Sequence, residues 1–337
     1  MVVFDWLVAV VHAAGSALSG QFPELTGAVL RAVSDAHQTV MKSALTVNQE
    51  LMSLVRFTED GVELEEVAAQ VLTALGHVQP LTRRMALSWA SMLLDRSPGP
   101  FMAMAGDVLA QALENVAGDC DDDELSLHIQ VLALMARREA VEEGAEAPFG
   151  DRMLAELAEL LRDGSNGLLE RRGSYIIRHL CVVMDPVRVF GVLATHLLAI
   201  ETGTEDGDAG SDGADATGAD AGGAAAAAAT VAADEPVAAD EESVEFVYVL
   251  VELMALVLMT APELAPLRVR LQPSVPADVV PPMAGGATSL VADHTPESAA
   301  AVFSVLFRTW SCNPVASLLL CLLAEQYELA SGIVRRL

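Results

Sequence analysis

Apolar residues recur along this chain at the three- and four-residue spacing of amphipathic helices, and the stripes come in pairs. Leu25, Val29, Leu30 and Val33 form one stripe, Ser34-Asp35 a turn, and Val40, Ala44, Val47 and Leu51 a returning stripe. Val67, Val71, Leu72 and Leu75 repeat the order, with a turn over Gly76 to Pro80 and a return through Thr82, Arg84, Ala86 and Trp89. A third unit runs from Val108, Leu109 and Leu113 through Gly118-Asp119 to Leu125, Ile129, Leu132 and Met135. A fourth runs from Leu154, Leu157, Leu160 and Leu161 through Asp163 to Gly167, then Leu169, Arg171, Gly173, Ile176, Ile177 and Leu180. Ala44 and Ala86 stand 42 residues apart, and Ala86 and Gly173 stand 87 apart, close to two further units. Helical units of about 40 to 47 residues mark HEAT or armadillo arrays. The predicted fold is therefore all-α, a HEAT/armadillo-like α-solenoid of antiparallel helix pairs.

The matched small residues Ala44, Ala86 and Gly173 predict close helix approach, and Lys42, Arg84 and Arg171 precede each by two residues. That column of cations reads either as hydrogen-bonding to neighbouring turns, with acids such as Asp35 and Asp163, or as a ligand contact. At the C-terminal end, Phe303, Leu306, Phe307 and Trp310 share a helical face. Asn313 is placed to cap a helix that Pro314 opens. The run after it is almost unbroken in apolar residues, so it needs neighbours on several sides.

Composition divides the chain. Residues 201–242 hold twelve of the 47 acidic groups and no Lys, Arg or His, and predict a disordered acidic insertion rich in Gly, Ala and Asp. The alanine run Ala224 to Ala229 is too short for a stable helix unaided. A Pro/Gly-rich linker covers 272–297, and a shorter break covers Glu142 to Gly150. The remaining material falls into helical repeats over 1–200 (about four units), a helical repeat segment over 243–271 and a C-terminal helix pair over 298–337. The stretch Val2 to Leu18 lacks a basic leader and contains Asp5 and His12, so it reads as a structural helix. Phe246 to Thr260 carries Glu252 and is shorter than the roughly 20 residues a bilayer requires, so it reads as a buried helix. A net charge of −28 disfavours nucleic acid and anionic lipid as direct ligands.

No phosphate loop, dinucleotide fingerprint, nucleophile elbow or zinc-protease motif is present in the sequence. Cys120, Cys181, Cys312 and Cys321 show no metal or disulfide spacing and read as reduced packing residues. Cys120-Asp121-Asp122-Asp123-Glu124 with His128 resembles a metal site only superficially, because acids at a helix start cap free N–H groups. The basic cluster Glu170, Arg171, Arg172, Arg178 and His179 has two readings. Either Arg171 or Arg172 pairs with Asp163 and Glu170 while Arg178 faces a neighbouring repeat, or the arginines hold a phosphate. Cys312, with Arg308, Trp310 and Asn313, has no base nearby in sequence and reads as packing at a turn. No cofactor, metal or catalytic residue is expected.

Three blocks carry a family resemblance: Leu168-Leu169-Glu170-Arg171-Arg172-Gly173 through Ile176-Ile177-Arg178-His179-Leu180-Cys181, then Leu258-Met259-Thr260-Ala261-Pro262-Glu263-Leu264 with Leu267-Arg268, then Arg308-Thr309-Trp310-Ser311-Cys312-Asn313-Pro314-Val315 with Tyr327. They resemble, in the same order, blocks of the ArPIKfyve family, the vacuole-morphology scaffolds of the PIKfyve phosphoinositide-kinase complex, and Thr82 to Trp89 is similar to a weaker repeat block. The resemblance implies a non-enzymatic HEAT-repeat scaffold. Its partners would be a phosphatidylinositol 3-phosphate 5-kinase and a Sac-type phosphoinositide phosphatase, with self-association, and the complex would sit peripherally on endosomal or vacuolar membranes. It marks Arg171, Arg172, Arg178, Arg308, Trp310, Asn313, Pro314 and Tyr327 as partner-binding or structural positions. Ser311-Cys312 stands where the family has Cys-His, and the chain reads as the C-terminal part of such a scaffold. The alternative is a transport or cargo adaptor solenoid unrelated to phosphoinositides; an all-α enzyme would require metal at Cys120 to His128.

Overall fold

The computed structural model describes residues 15–58, 63–118, 120–138, 149–202, 241–272 and 296–337, with a few isolated positions before residue 15. The acidic insertion, nearly all of the Pro/Gly-rich linker, the break after residue 138 and most of the N-terminal apolar stretch lie outside the described residues. Among the described residues the regular structure is helical.

Antiparallel hairpins follow one another along the chain. They are α1 (Phe22–Ala32) with α2 (Gln38–Phe57), α3 (Leu64–Leu75) with α4 (Pro80–Arg96), α5 (Ala105–Ala117) with α6 (Asp122–Arg138), and α7 (Phe149–Arg162) with α8 (Leu168–Val183). Then come α9 (Pro186–Thr202) with α10 (Glu241–Thr260), and α12 (Pro296–Trp310) with α13 (Pro314–Leu323), separated by the short α11 (Ala265–Arg270) and followed by α14 (Tyr327–Val334). Proline opens α4, α9, α12 and α13, where its missing N–H costs no helical bond. First helices pack in one row, α1, α3, α5, α7, α9 and α12; second helices form the other, α2, α4, α6, α8, α10 and α13. This is the α-solenoid the spacing predicts, and its core is continuous from Phe22 to Leu320 because each hairpin borrows the next one's apolar face.

Lateral hydrogen bonds fix the stacking register. Trp89 Nε1 donates to Asn48 Oδ1 (2.8 Å) and Asn115 Nδ2 to the Leu75 carbonyl (2.9 Å), spanning 41 and 40 residues. Arg96 donates to the carbonyls of Val55 and Thr58, so the C-terminal ends of α4 and α2 lie side by side. Arg188 Nε donates to Asp151 Oδ1 (2.7 Å) near the starts of α9 and α7. Equivalent ends meeting in each row means that stacked helices run parallel.

The column of cations resolves unevenly. Arg84 pairs with Asp121 of the next hairpin, and Arg171 Nε donates to the Gly167 carbonyl of its own turn (3.2 Å). The buried cation is instead its neighbour Arg83, whose Nη1 reaches the His77 and Val78 carbonyls (3.1 and 2.9 Å) and whose Nη2 reaches Glu124 Oε2 (3.0 Å). Glu124 and His128 are fully buried, with His128 Nε2 3.7 Å from Glu124 Oε1. Spacing alone does not separate Arg83 from Arg84, because helix phase decides which of two adjacent residues faces the next hairpin.

Two expectations change. The structure joins Glu241–Thr260 to Pro186–Thr202 as one hairpin, where the sequence suggested a separate repeat segment. This helix is also 20 residues long, enough by length and composition to cross a bilayer, so shortness does not exclude a span. Half of it packs inside the protein between α8, α9 and α13, which makes it a core helix of the solenoid. At the end of α13, Glu325 takes a left-handed φ of 58°, and the Gln326 N–H bonds the Cys321 carbonyl (2.8 Å), a Schellman turn that redirects the chain into α14.

Burial raises the affinity of Glu124 for a proton, but the adjacent His128 and the hydrogen bonds from Arg83 outweigh it and hold the carboxyl below its ordinary range. Its stabilising contribution is therefore present above that range and lost as pH falls through the lowered folded value. Glu124→Gln leaves Arg83 buried without a counter-charge and should cost about 3–5 kcal/mol, read as a lower urea midpoint. The double change Arg83→Met with Glu124→Leu should recover most of the loss.

Candidate protein-docking surface

The first and third sequence blocks build turns within hairpins, α7 to α8 and α12 to α13, and the second builds the turn that follows α10. The Ser165 hydroxyl and N–H together hold the Asp163 carboxyl below its ordinary range, the N–H donating to Oδ1 at 3.0 Å, and Gly167 at φ 54° opens α8 in a conformation that favours glycine. Arg172 does not pair with Asp163 or Glu170; it crosses to the preceding hairpin, with Nε 3.7 Å from Asp122 Oδ1 and Nη1 3.3 Å from Cys120 Sγ. Tyr175 donates to the Asp122 carbonyl (3.2 Å) and stacks on His179, whose Nε2 meets Ser126 Oγ at 2.9 Å. Arg178 crosses the other way to Glu263 (2.7 Å) and draws that carboxyl below its usual range. Arg268 then caps the end of α10 through the Leu258 and Ala261 carbonyls (2.7 and 2.8 Å). The first two blocks thus meet at Arg178–Glu263.

The third block closes the last hairpin. Asn313 Oδ1 accepts the Val315 and Ala316 N–H groups (3.0 and 3.1 Å), the expected cap of the helix that Pro314 opens. Trp310 is fully buried, its carbonyl accepts Ser317 Oγ (2.7 Å), and Thr309 Oγ1 reaches the Ala194 carbonyl of α9 (3.0 Å). Arg308, Pro314 and Tyr327 are exposed. The marked residues therefore divide into turn-builders (Arg172, Arg178, Trp310, Asn313) and surface positions (Arg171, Arg308, Pro314, Tyr327), and they do not converge on one pocket.

The chemistry of the turns is conservative. Burial raises the Cys120, Cys181, Cys312 and Cys321 thiols, at Cys120 against the opposing pull of Arg172, so they stay protonated at neutral pH. Asp121 Oδ1 accepts the Glu124 N–H (2.9 Å), so the acidic run caps α6. Burial also lowers His179. Among the described residues no three His, Cys, Asp or Glu side chains gather as metal ligands.

The surface itself is distinctive at the C-terminal end of the second row. On α10 the outward residues are Val244, Glu245, Tyr248, Val249, Glu252, Leu256 and Met259, so the solvent face is apolar where a half-buried helix ordinarily carries charge. Leu256 is 56% exposed and, on the adjacent α13, Val315 is 70% exposed and Leu322 52%. On α8, which packs on the other side of α10, Tyr175 and Val182 are also exposed. The apolar run of α13 thus lacks the neighbours its sequence demands. Periodicity could not reveal the α10 stripe, because outward Val and Leu look like core Val and Leu in a sequence. The available signal was an apolar helix with residues to spare after one buried face is filled.

Residues 227–337 match the family model described as vacuolar protein 14 C-terminal Fig4p binding. The whole chain is 24% identical to a protein named Protein VAC14 homolog from Arabidopsis thaliana, covering 36% of that protein. A second Protein VAC14 homolog, from Schizosaccharomyces pombe, is 24% identical over 98% of this chain and 34% of its own length. The chain spans about a third of the length of these relatives. No solved structure matches it.

Trp310→Ala should cost about 3–5 kcal/mol by opening a core cavity, and Asn313→Ala about 1 kcal/mol by removing a cap. Tyr327→Ala should leave the thermal midpoint unchanged. Thermal unfolding of the three variants checks this ordering, which reverses if Trp310 and Asn313 are surface contacts and Tyr327 a packing residue.

Proposed function

We propose that this chain, whose resemblance to the VAC14/ArPIKfyve family extends along its length, is part of a non-catalytic scaffold. The scaffold holds a Sac-type phosphoinositide phosphatase together with a phosphatidylinositol 3-phosphate 5-kinase. The carrying observation is that the family match described as Fig4p binding spans the helices that leave an apolar face in water. A solenoid suits the role because its second row offers parallel helices as a rigid, extended surface. The gain is effective concentration: two enzymes fixed to one platform share local substrate without any new catalytic contact.

Membrane association on endosomes or vacuoles comes in this reading through the bound enzymes. A net charge of −28 opposes direct attraction to anionic headgroups. Self-association would multiply the number of enzyme pairs on each platform.

Affinity purification of the chain from its own cells, followed by mass spectrometry, should recover both a Sac-type phosphatase and a lipid 5-kinase, with the purified chain alone inert toward phosphoinositides. Recovery of transport cargo and neither enzyme would overturn the reading.

A further inference from the structure

On the reading that this chain holds a Sac-type phosphatase, the geometry points to the outward stripe of α10 as the seat, and to the chemistry of what sits there: an apolar segment of the phosphatase flanked by Lys or Arg. The stripe is built rather than incidental. Phe246, Val247, Leu250, Val251, Met254, Val257 and Leu258 fill the inward face, which fixes the phase of the helix and forces Val244, Tyr248, Val249, Leu256 and Met259 outward. Leu253 of α10 packs over Gly173 of α8, where a Cβ would meet Leu253 Cδ2 at 2.9 Å and Leu169 Cδ1 at 3.0 Å. The neighbouring helix α13, which packs against α10, also exposes apolar side chains, Val315 and Leu322.

The rim selects among occupants. Glu241, Glu242, Glu245 and Glu252 are exposed on α10, which carries no Lys or Arg, and Arg178 of the adjacent helix is engaged by Glu263. Seating the stripe in a bilayer would bring Glu245 and Glu252 toward hydrocarbon and set the rim against anionic headgroups, both unfavourable. A second copy meeting the same face about a two-fold axis would oppose one acidic rim with another. The segments 203–240 and 273–295 contain no Lys or Arg, so this chain's own connections lack the complementary charge. A basic-flanked apolar segment satisfies both the stripe and the rim, and helix-in-groove recognition reads such anchors at three- and four-residue spacing.

The test measures affinity of the full chain for the purified Sac-type phosphatase of the same organism, at low and high salt. Tyr248→Glu and Leu256→Glu, both outward and therefore compatible with folding, should each weaken binding about tenfold or more. The charge reversal Glu252→Lys should weaken it at low salt and flatten the salt dependence. Circular dichroism and the thermal midpoint should match the wild type in all three. If the wild-type chain binds and the three variants bind equally well, the phosphatase sits elsewhere and the inference is wrong while the scaffold reading stands. If the wild-type chain does not bind at all, both fall. Loss of a wild-type homodimer in sedimentation, or of binding to neutral or anionic phosphatidylcholine/phosphatidylserine vesicles, in Leu256→Glu with phosphatase binding intact would overturn it in favour of a second copy or a membrane.

Discussion

Each hairpin in this chain buries its apolar faces against the hairpins before and after it, and every other feature follows from that dependence. Two antiparallel helices shield one seam and leave two flanks wet; a buried Leu or Ile is worth about 1.5–3 kcal/mol, so an isolated hairpin forfeits most of its stabilisation. Stacking recovers it. The continuous core from Phe22 to Leu320 shows the recovery carried through the described hairpins, including the one whose two helices are separated by residues 203–240. That long interruption is tolerated because loop closure grows only slowly in cost with length.

Stacking alone does not fix register, since apolar flanks slide. The polar ties do so: Trp89 to Asn48, Arg83 to Glu124, Arg188 to Asp151 and Arg178 to Glu263 each bind one hairpin to the next at a set height. Burial makes the Arg83–Glu124 tie strict, because a slip would strand both charges. The ion pairs nearer the surface contribute less energy and act mainly as positional markers. A rigid register matters for a platform, since partners on neighbouring helices keep a constant separation only if the helices do.

The two ends of the array differ in what they show to solvent. Toward the N-terminus the second-row helix α4 turns Arg84, Ser88, Ser91 and Asp95 outward or toward the surface, whereas α10 and α13 turn Val, Tyr, Leu and Met outward. The same stacking principle operates in both regions, so the difference does not come from the fold's own needs. It leaves exposed apolar surface in the C-terminal part of the chain, where the family-model match over residues 227–337 also falls.

Repeat length, hairpin turns and fold class were legible in the sequence because a 3.6-residue period and a 42-residue spacing are local and additive. Asn313 before Pro314 announced its cap for the same reason: a cap involves only the next few N–H groups. What the sequence could not decide was phase and partner choice. It could not say that Arg83 rather than Arg84 turns inward, that Arg172 reaches Asp122 and not Asp163, or that Glu241–Thr260 completes a hairpin begun at Pro186. Nor could it tell which apolar residues of α10 and α13 stay in water, since chemical type is a property of the residue whereas exposure is a property of its neighbours. Those neighbours are set only when the hairpins stack.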